Sequence, residues 1–379
     1  MLFRTPALDE VEQAVLDEVE RLRASLRLQL YEPRRWGGSL RRLSFARNIQ
    51  GSNSIEGYEA ALDDAAAVAL GQEPLDADAE TRLALEGYRN AMTYVLQLAQ
   101  EPRVEYSEQL LKSLHFMMTL YDLSNRPGRW RAGSIYVRND DTGDSVYEGP
   151  DIDVVPDLMT EFVDDLNNDQ DKPALVRAAI AHLNLVMIHP FRDGNGRMAR
   201  CLQSLVLAGG GTLAPVFMSI EEYLGRNTDA YYAVLAEVGA GNWQPERDTR
   251  PWIRFALTAH IRQARTLQRR VRESERLWME IERLAGGLPE RVFAILFDAA
   301  MGFRVRNAMY RAVVAQTDEE ITEQTASRDL RQLVDAGLLI THGEKRGRYY
   351  TASKALADLR QAVVRARDPR DDTDPFAAA

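Results

Sequence analysis

Apolar residues recur at three- and four-residue steps along positions 8–30: Leu8, Val11, Val15, Val19, Leu22, Leu26 and Leu30, with charged residues between them. That period belongs to an amphipathic helix. Its stripe predicts docking on the main body, with a helical homodimer contact as the alternative. A Trp36-Gly37-Gly38-Ser39 turn follows, and the spacing then predicts helices to about residue 53 and over 56–70, 81–100 and 106–121. Gly71-Gln72-Glu73-Pro74 separates the second of these from the third, and Pro127-Gly128 closes the region. Positions 133–147 change character: Ile135-Tyr136-Val137 and Ser145-Val146-Tyr147 flank Asn139-Asp140-Asp141-Thr142-Gly143-Asp144, which predicts a β-hairpin. Helical spacing returns over 156–167 and 174–188, where Pro190 halts it. It resumes over 200–208 up to Gly209-Gly210-Gly211, and again over 221–238 and 251–284. Beyond residue 290 three shorter helices are expected, near 292–296, 311–315 and 325–337. A second hairpin then pairs Leu338-Leu339-Ile340-Thr341 with Arg348-Tyr349-Tyr350-Thr351. The predicted fold class is mainly α.

Composition narrows this picture. With 379 residues, 45% hydrophobic and 27% charged, the chain is long enough for two or three domains with full cores. A formal charge of −10 argues against a general nucleic-acid coat, though not against a local basic patch. Cys201 is the lone cysteine, so no intrachain disulfide is available and a reducing, cytoplasmic setting is expected. Cys201 reads as a core thiol. No apolar run reaches the ~18 residues of a membrane helix, and no secretory signal is apparent, so no membrane partner is expected.

Chemistry concentrates in His189-Pro190-Phe191-Arg192-Asp193-Gly194-Asn195-Gly196-Arg197-Met198-Ala199-Arg200. Gly194 and Gly196 let the backbone turn tightly and approach an anion. A helix opening there aims its free N–H groups at that anion. Arg197 and Arg200, at i and i+3, share one face of such a helix. Asp193 offers a hard oxygen ligand suited to Mg²⁺, and His189 can take up a proton near neutral pH. His182 lies one heptad earlier, and neither it nor His115, His260 or His342 has the spacing of a metal-ligand set, so His182 reads as a packed or capping side chain.

This segment resembles the complete signature of the Fic family, His-x-Phe-x-(Asp/Glu)-Gly-Asn-Gly-Arg-x-x-Arg, without departure at any fixed position. The resemblance implies a largely helical protein adenylyltransferase. Such an enzyme uses ATP and Mg²⁺ to move AMP onto a Ser, Thr or Tyr hydroxyl of a target protein, sometimes onto itself. On that reading His189 deprotonates the hydroxyl and Asp193 holds the metal. Gly194, Asn195 and Gly196 form the hole for the α- and β-phosphates, and Arg197 and Arg200 contact the β- and γ-phosphates. A lysine at position 196 would point to the phosphate-transferring branch, and this chain has glycine there.

Upstream, Ser52-Asn53-Ser54-Ile55-Glu56-Gly57 reads by itself as a helix-end turn and cap. Beside the signature it resembles the family's inhibitory motif, (Ser/Thr)-x-x-x-Glu-(Gly/Asn), in the class with an N-terminal inhibitory helix. Ser52, Glu56 and Gly57 are its fixed positions. A Glu56–Arg200 pair would occupy the charge the γ-phosphate needs. A charged hydrogen bond of about 1.5–3 kcal/mol corresponds to roughly one to two decades of rate. The same carboxylate could orient a water for AMP removal, and the residues leave the dominant direction open. Asn227, Tyr231 and Tyr232 resemble the stretch that lines the base, with ordinary core tyrosines as the alternative. The hairpin at 135–147 corresponds to the family's flap, whose edge would receive an extended target segment.

The C-terminal pattern resembles a winged helix–turn–helix. Its 325–337 helix would present Ser327, Arg328 and Arg331, and its wing Lys345, Arg346 and Arg348. Asp318, Glu319, Glu320 and Glu323 just before that helix favour protein contact over DNA. The expected organisation is an N-terminal helical region over 1–100, a Fic core over 101–265, a helical linker over 266–289, a winged helix over 290–366 and a flexible tail over 367–379. The competing function is a DNA-binding regulator whose Fic domain senses nucleotide without turning it over.

Overall fold

The computed structural model describes residues 1–31, 34–138, 145–168, 171–210, 213–317 and 319–377. The hairpin turn expected at 139–144, Gly211 and Asp318 lie outside the described residues, as does the side chain of Arg346.

The N-terminal part runs α1 (Glu10–Tyr31), α2 (Gly37–Ser54), α3 (Leu62–Ala69), α4 (Ala79–Leu98) and α5 (Glu108–Thr119). A two-stranded antiparallel hairpin follows, β1 (Tyr136–Arg138) and β2 (Ser145–Glu148), in register Tyr136 with Glu148. Then come α6 (Val155–Asn168), α7 (Ala174–Ile188), α8 (Asn195–Ala208), α9 (Pro215–Met218), α10 (Glu221–Arg226), α11 (Thr228–Gly239) and α12 (Arg250–Leu284). The chain closes with α13 (Phe293–Ala300), α14 (Asn307–Ala315), α15 (Glu323–Asp335), the antiparallel pair β3 (Leu339–His342) and β4 (Tyr349–Ala352), and α16 (Lys354–Arg365). The molecule is mainly helical.

Helix α7 is apolar on nearly every side and forms the centre of the larger core with α8: Leu183, Leu185, Ile188, Met198, Leu202 and Leu205 are all fully buried. A helix hydrophobic all round has to be enclosed by others. The chain start is fastened to it, Phe3 N–H donating to Asn184 Oδ1 (2.9 Å) and Asn184 Nδ2 to the Phe3 carbonyl (3.0 Å). Trp252 of α12 donates its indole N–H to the Ala179 carbonyl at 2.7 Å. The α1 stripe docks on α12, where fully buried Glu12 accepts from Arg250 and Arg254 at 2.8 Å. A second core joins Leu277, Trp278 and Ile281 of α12 to Ile295, Phe297, Tyr310, Leu330 and Leu356.

Two expected helices are shorter than their spacing implied. Over 56–70 only α3 forms, because the chain turns at Gly57 (φ +83°) directly after α2. The Asp64 carboxylate on α3 then gathers the Leu75 and Ala77 N–H groups (2.7 and 3.0 Å). Over 221–238 the helix breaks at Asn227, whose φ of −132° leaves the helical region between α10 and α11. Helix α16 was not foreseen; Ser353 caps its start. The described residues after Arg367 form no regular helix or strand, yet they lie along α12, with Asp371 on Arg265 and Phe376 beneath Arg254.

Candidate active site

Helix α7 delivers His189 as its C-cap, in the left-handed region (φ 52°, ψ 56°), with its N–H on the Leu185 carbonyl at 3.0 Å. Such a conformation is unfavourable for a side chain with a Cβ and persists where neighbours over-determine it. Here Arg131 does so. Its Nε donates to the His189 carbonyl at 3.0 Å and Nη1 to the Gly133 carbonyl at 2.6 Å; Nη2 reaches the Pro150 carbonyl. Nδ1 of His189 lies 3.0 Å from the Val186 carbonyl. A carbonyl only accepts, so the neutral ring carries its proton on Nδ1 and keeps a lone pair on Nε2. Burial lowers the proton affinity of this ring, against the Val186 carbonyl and the Glu56 and Asp193 carboxylates, so it is neutral at pH 7.

The loop after His189 is closed by Asn195. Its Oδ1 accepts from the Phe191 N–H and its Nδ2 donates to the Phe191 carbonyl, both at 2.9 Å. The side chain expected in the anion hole thus braces the loop through both ends of its amide. His115, unpromising by spacing, braces the loop from below. Nδ1 accepts from the Gly128 N–H and Nε2 faces the Asp193 carbonyl, each at 2.9 Å, and the ring stacks on Phe191 with centroids 3.7 Å apart. Burial pushes its pKa down to about 4, so it stays a neutral strut. Gly194 is the N-cap of α8 with φ +76°, a conformation only glycine adopts without strain.

Arg197 and Arg200 are both buried at the start of α8. Arg197 donates to Tyr121 Oη (3.0 Å) and Asp193 Oδ2 (3.2 Å) and lies over the Tyr58 ring. Arg200 donates to Ser52 Oγ and the Ser52 carbonyl (2.9 Å each) and to Glu56 Oε1 (2.6 Å). Burial opposes ionisation of Glu56, but Arg200 and Arg197 outweigh it and hold the carboxyl below its ordinary range. A Cβ on Gly196 would collide with Glu56 Oε1, so the carboxylate rests against the backbone of the first turn of α8. That is the place where a helix N-terminus attracts an anion. Asp193 is 39% exposed, and its Oδ2 is engaged by Arg197 and Asn125. Among the described residues no cluster of three or more His, Cys, Asp or Glu side chains could hold a metal. A cation that keeps most of its waters needs less than that: one carboxylate plus the substrate's phosphates suffices.

The residues expected at the base separate. Tyr231 is buried, its hydroxyl 2.9 Å from His182 Nε2, and presents no open face. Tyr232 is 46% exposed and donates to the Ile55 carbonyl at 3.0 Å, beside Glu56. Asn227 spends its amide on the Tyr223 carbonyl at 2.7 Å. His182 is a buried link between Tyr231 and Gln203. Behind Arg200 stands Glu221, fully buried. Its Oε1 accepts from Tyr88 (3.0 Å) and Ser204 (3.1 Å), and Oε2 has no partner among the described residues. Burial pushes its pKa up to about 7. Neither His115, Arg131 nor Glu221 carries a local signal, since each acts on segments far away in sequence.

Residues 105–207 match the Fic/DOC family model. The chain carries a Fic domain. It is 37% identical over 116 residues to protein adenylyltransferase fic-1 of Caenorhabditis briggsae, covering 29% of this chain and 20% of that protein. It is 25% identical over 269 residues to protein adenylyltransferase Fic of Nematostella vectensis, covering 66% and 55%. The chain thus spans from a fifth to about half the length of these curated relatives. A Fic family protein from Desulfovibrio desulfuricans has the same overall fold, with TM-score 0.59, 22% identity and coverage of 92% and 98%. The Fic-1 structure of Caenorhabditis elegans aligns with TM-score 0.53 over 68% of this chain at 22% identity. The Fic match contains α5, β1, β2, α6, α7 and nearly all of α8, and so includes His189, Asp193, Arg197 and Arg200. Ser52, Glu56 and the Tyr231–Tyr232 pair come from outside it. No helix among the described residues is long and apolar enough to cross a membrane.

Proposed function

We propose that the chain is a protein adenylyltransferase that moves AMP from ATP to a protein hydroxyl and is restrained by Glu56. The observation that carries this reading is the seating of Glu56 on Arg200 against Gly196, beside a neutral His189 with a lone pair on Nε2. The triphosphate is placed on the first turn of α8, with its charge met by the backbone N–H groups there and by Arg197 and Arg200. His189 takes the proton of the incoming hydroxyl, and that oxygen attacks the α-phosphorus in line as the bond to the β-phosphate breaks. AMP remains on the protein and pyrophosphate leaves. Asp193 would hold Mg²⁺, which neutralises charge on the phosphates.

Glu56 lies where the terminal phosphate would go, so it repels that phosphate and engages the guanidinium that would receive it. The edge of the β1–β2 hairpin is proposed to receive an extended target segment, and Tyr232 to face the base. The unit over 290–366, with three helices, a hairpin and a fourth helix in order, is proposed as a winged helix. Exposed Arg328, Arg331, Lys345 and Arg348 share its surface with exposed Glu319, Glu320 and Glu323, a mixture that favours a protein surface over a duplex. Intact-mass measurement of Glu56→Gly with ATP and Mg²⁺ tests the proposal. One or more added AMP masses are expected, at a rate 10- to 100-fold above the parent chain. No added mass on either the chain or candidate targets would leave the nucleotide-sensing regulator as the better reading.

A further inference from the structure

A second recess lies away from the α8 corner, at the seam between α2, α10, α12, α13 and α16, as a cavity of ≈ 200 Å³. Helix α2 contributes Arg47, α10 ends in Arg226, and α12 adds Arg269 and Arg270. From the opposite side come Arg360 of α16, with Arg367 and Arg370 just beyond it. Two carboxylates answer these seven arginines. Glu222 is taken bidentately by Arg270 (2.6 Å for each bond) and by Arg226 at 2.7 Å. Glu273 is taken by Arg367 at 2.6 and 2.9 Å. Arg47 and Arg269 are left 3.8 Å from the nearest carboxylate oxygen, beyond hydrogen-bond reach. Arg360 forms no carboxylate contact within ion-pair distance among the described residues, with Glu273 acting on it only from further off: its Nε faces Met301 Sδ, and its buried Nη1 has no partner among the described residues, nor has Nε of Arg47.

Such a concentration is unfavourable unless something external balances it. Like charges sharing a half-buried seam repel, and orphaned buried N–H groups carry a desolvation cost. Burial and the neighbouring arginines pull the proton affinity of Arg47, Arg269 and Arg360 down. The whole chain is acidic, at −10, so the cluster is not part of a general basic coat. Guanidinium forks match phosphate oxygens two at a time. An excess of several positive charges calls for a multiply charged ligand, and the volume suits a short phosphate chain better than a nucleoside. A duplex is excluded by access: the side chains of Arg47, Arg269 and Arg270 are only 12%, 15% and 13% exposed.

We propose that this seam binds a compact polyphosphate, either free or as the phosphate tail of a nucleotide, independently of the α8 corner. Calorimetric titration of the full chain with inorganic triphosphate tests it, against Arg269→Gln/Arg360→Gln in the seam and Arg197→Gln/Arg200→Gln in the corner. The seam variant is expected to lose at least tenfold in affinity, and the corner variant to keep one tight equivalent. The reverse pattern, or no binding to the parent chain, overturns the proposal and leaves the adenylyl-transfer reading standing. ATP titrated into the corner variant distinguishes the two sources: equal affinity for ATP and triphosphate means the phosphate chain alone is recognised, and tighter ATP means a nucleotide. Stoichiometric displacement of triphosphate by a short DNA duplex overturns the choice of a compact ligand. Thermal unfolding separates binding from architecture. Without ligand, Arg360→Gln should unfold at or above the parent's temperature and gain less from triphosphate. A lower unfolding temperature with undiminished gain assigns Arg360 a structural role and overturns the proposal.

Discussion

Two arginine-lined recesses in this molecule are balanced on different terms. At the α8 corner each guanidinium has an internal acid: Arg200 has Glu56 at 2.6 Å and Ser52, and Arg197 has Asp193, Tyr121 and the Tyr58 ring, with Arg197 Nε and Arg200 Nη1 left without a hydrogen-bond partner among the described residues. At the α2–α16 seam, seven guanidiniums share Glu222 and Glu273. The contrast teaches that the density of positive charge does not by itself tell how a recess is used. In the corner the balancing acid comes from the turn Ile55–Gly57 at the end of α2, whose Ile55 packs into the larger core. In the seam most of the arginines ride on packed helices, and among the described residues no third carboxylate makes contact with them.

The largest expected effect separates chemistry from charge. His189→Ala in a Glu56→Gly background leaves both recesses cationic and removes the proposed proton acceptor. Transfer should fall by roughly 10²- to 10⁴-fold, read as AMP added per minute by mass spectrometry, with triphosphate binding retained. Undiminished transfer would assign the base elsewhere.

Next comes the acid behind Arg200. With its folded pKa pushed up to about 7, Glu221 stays protonated in the folded chain while the unfolded chain ionises near 4.5. Its contribution to stability is therefore greatest below about pH 4.5, declines as pH rises to about 7, and then levels off. The total is on the order of 3 kcal/mol. Glu221→Gln should remove that decline, so its unfolding temperature relative to the parent should climb between pH 5 and pH 8. A difference independent of pH would mean that Glu221 is ionised throughout.

The smallest effect probes the hinge of the corner. Tyr232→Phe removes the bond to the Ile55 carbonyl, worth about 1 kcal/mol. Transfer by the otherwise unaltered chain should rise a few-fold, well short of Glu56→Gly. A fall would show that the hydroxyl serves the substrate rather than the latch.

Much of this was legible in the residues because much of it is local. Helix α7 follows from its apolar run, and the His189–Arg200 corner from residues that are neighbours in the chain. What escaped depends on contacts across long separations. Nothing near His115 announces that its ring will hold the Asp193 carbonyl, nor near Arg131 that it will fix the backbone at His189. Tyr231 and Tyr232 look alike in sequence, and only packing against His182 buries one while the other stays open. The break at Asn227 is similar: the helical spacing runs on through it, and the tertiary turn decides. The seam draws on positions from 47 to 370, a spread that no spacing rule would collect.

Helix α12 has 35 residues, roughly 52 Å at 1.5 Å each, and is walled into both cores, through Trp252 near its start and Trp278 near its end. The two halves of the molecule are therefore beams fixed to one girder, and the stretch expected as a helical linker over 266–289 begins inside that girder. Cutting the chain near residue 285 would strip the covering from Leu277, Trp278 and Ile281, and the half carrying the α8 corner would inherit a sticky, exposed end. Melting is accordingly expected to run as one event across the girder, so any tension set up at the C-terminal end has a stiff path to the corner holding His189.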